Sequence, residues 1–381
     1  MAGEASGDLH GATLAQALAT LAPERPLFGM GGRRMSEAGV ELLEDVTAAA
    51  VVGGSEAIGR LPRLWRAYRH LAAALDERRP GALVVIDFPD FNLRLARVAH
   101  RAGVPVVYFI PPQVWAWRAR RVETMRKLVS LVLAVFPFEP AFYRRARVPV
   151  EFVGHPILDA LVGAPSRAVA RRALGLVDEL TIGLLPGSRR EEIARVMPAM
   201  RDAAARIAAV HPTARFVLGL APTIAAGALG EIRGTPEGHA AGPEGHAAAP
   251  EITVFPDRAH AVMRASDVLL VASGTATLEA ALLGTPMVVC YRVSRTTEAM
   301  ARLLVRVPWI SLANLVLGRA VVPELYQARA TGEHLAAEAL RLIEDTGARD
   351  AQRDAFGEMG RELGEPGVGA RAAAWVLATA A

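Results

Sequence analysis

The sequence contains almost no cysteine or lysine and no long apolar run. Its only cysteine, Cys290, lies in an apolar stretch typical of a buried strand, so disulfides cannot hold the fold, which fits a reducing compartment. Lys127 is the only lysine, a bias towards arginine that we attribute to a GC-rich genome. No apolar stretch reaches the roughly 18 residues of a membrane span, and we expect no secretory signal from the residues that open the sequence.

The chain is nevertheless long and apolar enough to build two cores. It has 381 residues, of which 52% are hydrophobic, and this predicts two α/β domains. The formal net charge of +4 is modest, and the basic balance suits nucleic acid, an anionic membrane surface or a phosphorylated substrate. No RNA- or DNA-binding motif accompanies the charge, so we expect no nucleic-acid partner. The other two remain open.

Short β-rich runs alternate with longer helical ones, which predicts parallel sheets built from βαβ units. The strands are predicted at 82–86, 105–109, 131–136, 150–153, 181–185, 215–220, 267–272 and 287–291. The pattern restarts after about residue 160, so we expect two Rossmann-like domains facing a cleft. The predicted divisions are 1–165, 166–350 and a helical tail at 351–381.

A turn that binds phosphate is predicted after the strand at 181–185. Gly187 lets the backbone approach a ligand closely, and Ser188 can cap the following helix or reach a ligand oxygen. Helix N-termini favour anions, and Arg189 adds a charge-assisted contact to a diphosphate. The alternative is an ordinary helix cap beside a solvated arginine.

A second turn of the same kind follows the strand at 267–272. It consists of Ser273, Gly274 and Thr275, again small residues at a helix start. Glu279, one turn into that helix, can accept both ribose hydroxyls of a nucleotide. Its alternative role is to complement the helix dipole. Together the two turns predict half of a nucleotide site at the carboxyl ends of the strands.

Acidic residues mark two strand ends in the first half. Asp87 follows the strand at 82–86 too early to cap the next helix, so we interpret it as a general base for a sugar hydroxyl. Asp90 stands where that helix needs an N-cap. The opening Gly-rich turn carries Glu4, a second catalytic candidate, and Asp8, interpreted as a first-turn helix carboxylate.

The stretch from 48 to 71 mixes apolar residues with arginines, which favours a segment lying on an anionic bilayer. A solvated helix with an ordinary core face is the alternative. The apolar candidates for membrane or acyl contact are Val51, Val52, Ile58, Leu61, Leu64 and Trp65. The duplicated PEGHAA at 234–250 holds His239 and His246, but its Gly, Pro and Ala favour a flexible surface insertion over a metal site.

An ordered set of segments resembles the lipid-A-disaccharide synthase family. The segments are GEASGD at 3–8, IDFPDFN at 86–92, PPQVWAWR at 111–118, FPFE at 136–139, VGHP at 153–156, LLPGSR at 184–189, ASGTATLE at 272–279 and SLANL at 311–315. The resemblance implies a GT-B fold, with an acceptor and membrane-associated N-terminal domain, a nucleotide-sugar donor domain and a C-terminal helix that crosses back to the N-terminal domain.

The resemblance also implies the reaction. UDP-2,3-diacylglucosamine would donate its sugar, with inversion and without metal or cofactor, to 2,3-diacylglucosamine 1-phosphate, giving lipid A disaccharide 1-phosphate and UDP. Asp87 matches the family's essential aspartate, Asn314 a nucleotide-site asparagine, and Gln327, with Glu324, a segment near the donor. The family works at the cytoplasmic face of the bacterial inner membrane, and we also consider a homodimer.

The sequence departs from the family pattern at its start, and two other functions remain possible interpretations. Family members usually carry an apolar strand before GEASGD, whereas here only Met1 and Ala2 precede it, so we expect an exposed strand neighbour, an upstream start or a compromised domain. The rival functions are a UDP-N-acetylglucosamine 2-epimerase-like isomerase and a non-catalytic nucleotide-sugar-binding protein. The tryptophans of PPQVWAWR, candidates for an acyl or sugar pocket, argue against the isomerase.

Overall fold

The computed structural model describes residues 1–45, 57–117, 121–220, 250–294, 297–298 and 307–380. Val51, Val52 and residues 234–249 of the insertion lie outside this part, as do the side chains of Ile58 and Leu61. Their predicted roles therefore stay predictions.

The chain forms two compact units. Unit 1 comprises Met1–Val162 and Leu363–Ala381, and unit 2 comprises Gly163–Leu303 and Val307–Glu362. The chain thus leaves unit 1 after Val162 and returns to it after Glu362. The acceptor and donor roles given to the two halves from sequence stay predictions.

Unit 1 combines two parallel sheets with helices. Its strands are β1 (Phe28–Gly31), β2 (Glu41–Asp45), β3 (Leu83–Ile86), β4 (Val106–Phe109), β5 (Leu131–Ala134) and β6 (Val150–Phe152). Its helices are α1 (Ala5–Leu21), α2 (Arg33–Glu37), α3 (Ala57–Arg78), α4 (Pro89–Arg101), α5 (Val114–Trp117), α6 (Arg121–Leu128), α7 (Glu139–Arg145), α8 (Ile157–Ala160) and, from the end of the chain, α16 (Val368–Thr379).

The two sheets of unit 1 meet at the first residues of the chain. One sheet has the order β3-β4-β5-β6, and the other is the pair β1-β2. Ala2 forms a parallel bridge with Ile86 and donates its N–H to the carbonyl of Met30 at 2.9 Å. An apolar cavity of about 130 Å³ beside Met1 is lined by α1, β1, α3 and β3. Met1 and Ala2 alone thus occupy the position between β1 and β3 in the described structure.

The helix α16 completes the core of unit 1 by packing against α1. Its start is fixed by Asp159, whose carboxylate accepts the N–H groups of Gly367, Val368 and Gly369 at 2.5, 3.2 and 3.0 Å. Arg371 donates to the carbonyl of Val153 at 2.9 Å. A carboxylate at a helix N-terminus satisfies amides that have no partner within the helix. The C-terminal helix therefore belongs to unit 1, as the predicted crossing requires.

Unit 2 contains one parallel sheet. Its strands are β7 (Thr181–Leu185), β8 (Arg215–Leu220), β9 (Ile252–Pro256), β10 (Val268–Ala272), β11 (Met287–Tyr291) and β12 (Glu324–Tyr326). Its helices are α9 (Arg167–Ala173), α10 (Arg190–Val210), α11 (Ala259–Ala265), α12 (Ala276–Leu282), α13 (Leu312–Leu317), α14 (Gly332–Glu344) and α15 (Thr346–Glu362), with a 3₁₀ turn at Gln327–Arg329.

The sheet of unit 2 has the order β12-β11-β10-β7-β8-β9. Counted along the unit this is 6-5-4-1-2-3, the doubly wound order of a Rossmann fold. β7 and β10 are buried on both faces, which explains why they appear in the sequence as continuous apolar runs. The order reverses between β7 and β10, and this point decides where a ligand is expected.

Candidate functional sites

In unit 2 the two predicted turns lie side by side. β7 and β10 are hydrogen-bonded neighbours in which Leu185 pairs with Val271, so the turns at 186–189 and 273–275 begin on adjacent strands. Both leave the carboxyl ends of strands at the point where the strand order reverses. Doubly wound sheets bind ligands at such a point. The topology thus brings together two turns that are far apart in the sequence.

The first turn exposes the groups that the sequence suggested. Gly187 has φ 116°, a conformation that favours glycine, and Ser188 and Arg189 are exposed. Helix α10 begins at Arg190 with Arg189 as its N-cap residue, so the prediction that Ser188 caps this helix is wrong. Glu192 instead braces the turn, accepting the Ser188 N–H at 3.4 Å and pairing with Arg189 at 3.4 Å.

The second turn brings a histidine that the sequence analysis missed. Ser273 donates its hydroxyl to the carbonyl of Ile310 at 2.6 Å, while Gly274 and Thr275 are exposed at the start of α12. Glu279 is partly exposed, and its Oε2 lies 3.3 Å from His260 Nε2. The hydrogen bond to Glu279 raises the pKa of His260. Since His260 comes from α11, this pairing left no local signal in the sequence.

Asn314 is fully buried and already saturated with hydrogen bonds. Its Oδ1 accepts the N–H groups of Val321 and Val322, and its Nδ2 donates to Val322 O and Glu324 Oε1. Glu324 in turn accepts the N–H groups of residues 310 and 311 at 2.9 Å. A direct contact between Asn314 and a nucleotide would break one of these bonds. In this geometry Asn314 fixes the segment that holds Ser273, and its predicted contact with a nucleotide stays a prediction.

Gln327 braces another segment beside the sheet. It has φ 50°, and its side chain exchanges hydrogen bonds with the backbone N–H and carbonyl of Val293 at 2.8 and 3.3 Å. Its Nε2 also donates to Glu298 at 2.5 Å. The predicted contact of Gln327 with the donor is not tested by these bonds, which show how its side chain is oriented.

In unit 1, Asp87 and Glu4 come together where the two sheets meet. The bridge between Ala2 and Ile86 places both residues directly after neighbouring chain segments. Burial raises the pKa of Asp87, and the charge of Glu4 adds to the rise, while a hydrogen bond from the Phe88 backbone opposes it. A carboxylate with a raised pKa is a better proton acceptor at neutral pH.

The other two acidic residues of these loops have structural partners. Asp8 is buried, and its carboxylate accepts the N–H groups of Gly32, Arg34 and Met35 at 2.7 to 3.1 Å, which caps α2. The prediction that Asp90 caps α4 is wrong, because that helix begins at Pro89 and Asp90 lies in its first turn, paired with Arg121.

An aromatic cluster follows β4 and β5. The rings of Trp115 and Phe138 meet edge to face at 4.8 Å, and Phe136 stacks on Phe138 at 5.5 Å. The indole of Trp115 donates to the buried carboxyl of Glu139 at 3.1 Å. Burial raises the pKa of Glu139 to about 7, against the effect of its three N–H donors. The tryptophan predicted for an acyl or sugar pocket is therefore held at the sheet edge that carries Asp87.

The outer face of α3 carries the described part of the predicted membrane segment. Trp65 is 59% exposed and stacks on Tyr68 at 5.6 Å, and Arg63, Arg66 and Arg69 are exposed around it. Leu64 is half-buried and packs on the core of unit 1. The described residues include no helix that is both long and apolar enough to cross a membrane. In the same ranges no three His, Cys, Asp or Glu side chains cluster as a metal site would need.

Several solved structures share this fold, among them an epimerase bound to UDP-GlcNAc and a glycosyltransferase. UDP-GlcNAc 2-epimerase from Neisseria meningitidis has a TM-score of 0.59 at 13% identity over 93% of this chain and 95% of its own. The calicheamicin glycosyltransferase CalG4 has a TM-score of 0.57 at 15% identity, and the match covers 97% of this chain and 94% of its own. MurG from Acinetobacter baumannii has a TM-score of 0.56 at 13% identity, and the match covers 97% of this chain and 96% of its own. The fold is therefore the two-unit α/β fold of GT-B type, which confirms the predicted fold class.

The sequence comparisons then give the family. The family model described as lipid-A-disaccharide synthetase matches residues 1–365. The lipid-A-disaccharide synthase of Anaeromyxobacter dehalogenans strain 2CP-1 is 43% identical over 378 residues, covering 99% of this chain and 96% of the relative. That of Geobacter sulfurreducens is 42% identical over 378 residues, covering 99% and 95%. The chain belongs to the lipid-A-disaccharide synthase family.

Membership confirms the resemblance and the enzyme class inferred from it. The protein is a glycosyltransferase of lipid A biosynthesis, and the epimerase reading is not favoured, because the epimerase shares only the fold at 13% identity.

Proposed function

We propose that this chain transfers the sugar of UDP-2,3-diacylglucosamine to the 6-hydroxyl of 2,3-diacylglucosamine 1-phosphate. The hydroxyl oxygen attacks the anomeric carbon, a β-1,6 bond forms with inversion, and the bond to UDP breaks. The proton of the hydroxyl passes to the enzyme, and UDP leaves as the second product. Beside family membership, the proposal is supported by the pairing of β7 with β10, because the two turns that we propose to bind the diphosphate begin on these neighbouring strands.

Asp87 is the proposed proton acceptor. It lies at the carboxyl end of β3, is partly buried, and has a raised pKa because of burial and the nearby charge of Glu4. A general base works best when its pKa approaches the working pH. Glu4 is the second candidate of the same site, and its charge contributes by tuning Asp87.

The donor contacts are proposed for unit 2. Arg189, exposed at the start of α10, would bind the diphosphate together with the amides of Gly187 and Ser188. Glu279 would accept the ribose hydroxyls, with His260 holding its carboxylate. These fixed positive and polar groups would stabilise the charge that develops on the departing UDP. The scheme uses no metal ion and no cofactor.

The membrane side is proposed for unit 1. The exposed Trp65 with Arg63, Arg66 and Arg69 suits a surface in which the indole enters the headgroup region and the guanidinium groups meet anionic lipids. Because both substrates carry acyl chains, a peripheral position at the cytoplasmic face of the inner membrane would give the enzyme access to them.

The test supplies both acylated sugars in detergent and measures two products. We expect mass spectrometry to show the tetraacylated disaccharide 1-phosphate in amounts equal to the UDP released. Omitting the acceptor is the control and should stop UDP release. An isomerised UDP-sugar formed without acceptor would support the epimerase instead, and UDP binding without any turnover would support a binding protein.

A further inference from the structure

The backbone around Asp87 has an unusual conformation. Asp87 has φ 45° and Phe88 has φ 44°, so two successive residues with side chains adopt the left-handed region. Ile110, at the end of the neighbouring strand, has φ 55°. Residues other than glycine avoid this region, and bulky ones most strongly, so such a turn persists only where the surroundings impose it.

Two buried side chains hold this turn by its carbonyl groups. Tyr108 is fully buried and donates its hydroxyl to the carbonyl of Asp87 at 2.7 Å. Asn92, also fully buried, donates its Nδ2 to the same carbonyl at 2.8 Å and to that of Ile86 at 3.1 Å. Burial raises the pKa of Tyr108, so its hydroxyl remains a donor at neutral pH.

The choice of asparagine at this position favours a role as a donor. Within the described part of the chain its Oδ1 is buried without a partner, while its amide group reaches two carbonyls. A buried acceptor without a partner is unfavourable, so the residue is used at this position for its N–H groups. A leucine of similar size would offer no donor to the carbonyl of Asp87.

The ring of Phe88 ties the same turn to the opening loop. A Cβ atom on Gly3 would lie 2.4 Å from the Phe88 ring, so the ring occupies the space that a side chain at residue 3 would need. The ring also packs on the ring of Phe91, with 5.5 Å between the two ring centroids. The left-handed turn therefore fixes the backbone of Asp87 next to the loop that carries Glu4.

We propose that Tyr108 and Asn92 are positioning residues for Asp87. They hold its carbonyl in the left-handed turn and thereby keep its carboxylate beside Glu4, in the place where it accepts the proton of the sugar hydroxyl. The proposal rests on the proposed function of Asp87. A small displacement of a catalytic group is enough to slow the reaction strongly.

The test is Tyr108→Phe, which removes one hydroxyl and keeps the ring in the core. We expect kcat to fall about 10- to 100-fold with KM for both sugars unchanged, since misplacement affects the reacting geometry and not substrate binding. Tyr143→Phe is the matched control, because Tyr143 is equally buried in the same core and its hydroxyl makes only a 3.4 Å contact with Pro112. The Tyr143→Phe variant should keep the turnover of the wild type.

A double variant separates positioning from general damage. In the background of Asp87→Asn, Tyr108→Phe should change the residual rate by less than about 2-fold, because residues that act as one unit are not additive. Asn92→Leu, similar in size but without a donor, should lower kcat in the same way. Circular dichroism and thermal unfolding confirm that each variant is folded.

The outcomes distinguish the positioning role of Tyr108 and Asn92 from the role of Asp87 as the base. If Tyr108→Phe resembles Tyr143→Phe, or lowers the residual rate of Asp87→Asn as strongly as it lowers the wild-type rate, the positioning role is wrong while Asp87 can still be the base. If Asp87→Asn itself keeps wild-type turnover, the proposed function of Asp87 fails, and the positioning role fails with it.

Discussion

Replacing Asp87 by asparagine should change activity and stability in opposite directions. Loss of a general base typically lowers the rate by about 10²- to 10⁴-fold, which corresponds to roughly 3–5 kcal/mol of transition-state stabilisation. We expect a fall of this size in kcat, with UDP binding preserved, because Asp87 belongs to unit 1 and the two turns proposed to bind UDP belong to unit 2.

The gain in stability follows from the sign of the pKa shift. Burial and the charge of Glu4 raise the pKa of Asp87 above its ordinary value of 3.8, so the ionised carboxylate is disfavoured in the folded state. This destabilisation is absent below pH 3.8 and grows as the pH rises through the folded-state pKa. Asparagine carries no charge, so the variant should be more stable than the wild type at pH 8.

The assay is product formation together with thermal unfolding at pH 8 and pH 3.5. The stability difference between wild type and variant should be present at the higher pH and vanish at the lower one. Wild-type turnover by Asp87→Asn would refute its role as a base. A variant that is inactive and also less stable at pH 8 would show that Asp87 acts as a structural residue.

Four other changes test the remaining parts of the structure. Arg189→Ala should weaken UDP binding about 10- to 100-fold, the loss of one charge-assisted contact, measured by calorimetry. Gly3→Ala should lower kcat while the chain stays folded by circular dichroism, because the new Cβ would lie 2.4 Å from the Phe88 ring. Asp159→Ala should lower the free energy of unfolding by about 1–3 kcal/mol in denaturant titration, since three helix amides lose their acceptor. Trp65→Ala should reduce sedimentation with anionic vesicles and leave turnover in detergent unchanged, and equal sedimentation would contradict the membrane role of α3.

The sheet of unit 2 was largely predictable from the sequence. Its four central strands are largely buried and stand out as apolar runs, and 181–185, 215–220 and 287–291 were predicted with the observed bounds. The adjacency of the turns at 186–189 and 273–275 was not predictable from local patterns. It depends on β7 and β10 becoming neighbours although they are separated by two strands along the chain.

In unit 1 the sequence showed which residues mattered but not how they are held. β1 was missed because two of its four residues are glycines, and β2 because three of its five residues are acidic and the strand is only partly buried. The left-handed turn at Asp87 contains no glycine, so the sequence gives no sign of it. Asn92 and Tyr108, which donate hydrogen bonds to this turn, resemble ordinary core residues of α4 and β4 in the sequence. Contacts between elements decide such features, and local propensity does not reveal them.

The return of the chain to unit 1 has a consequence for synthesis on the ribosome. Unit 2 is an insertion within unit 1, because residues from 363 onwards complete the fold that begins at Met1. Domains usually fold in the order in which they emerge. Here α1 must wait for its partner α16 until the whole of unit 2 has been translated. Unit 1 therefore reaches its final packing last, and until then the face of α1 that packs against α16 stays uncovered.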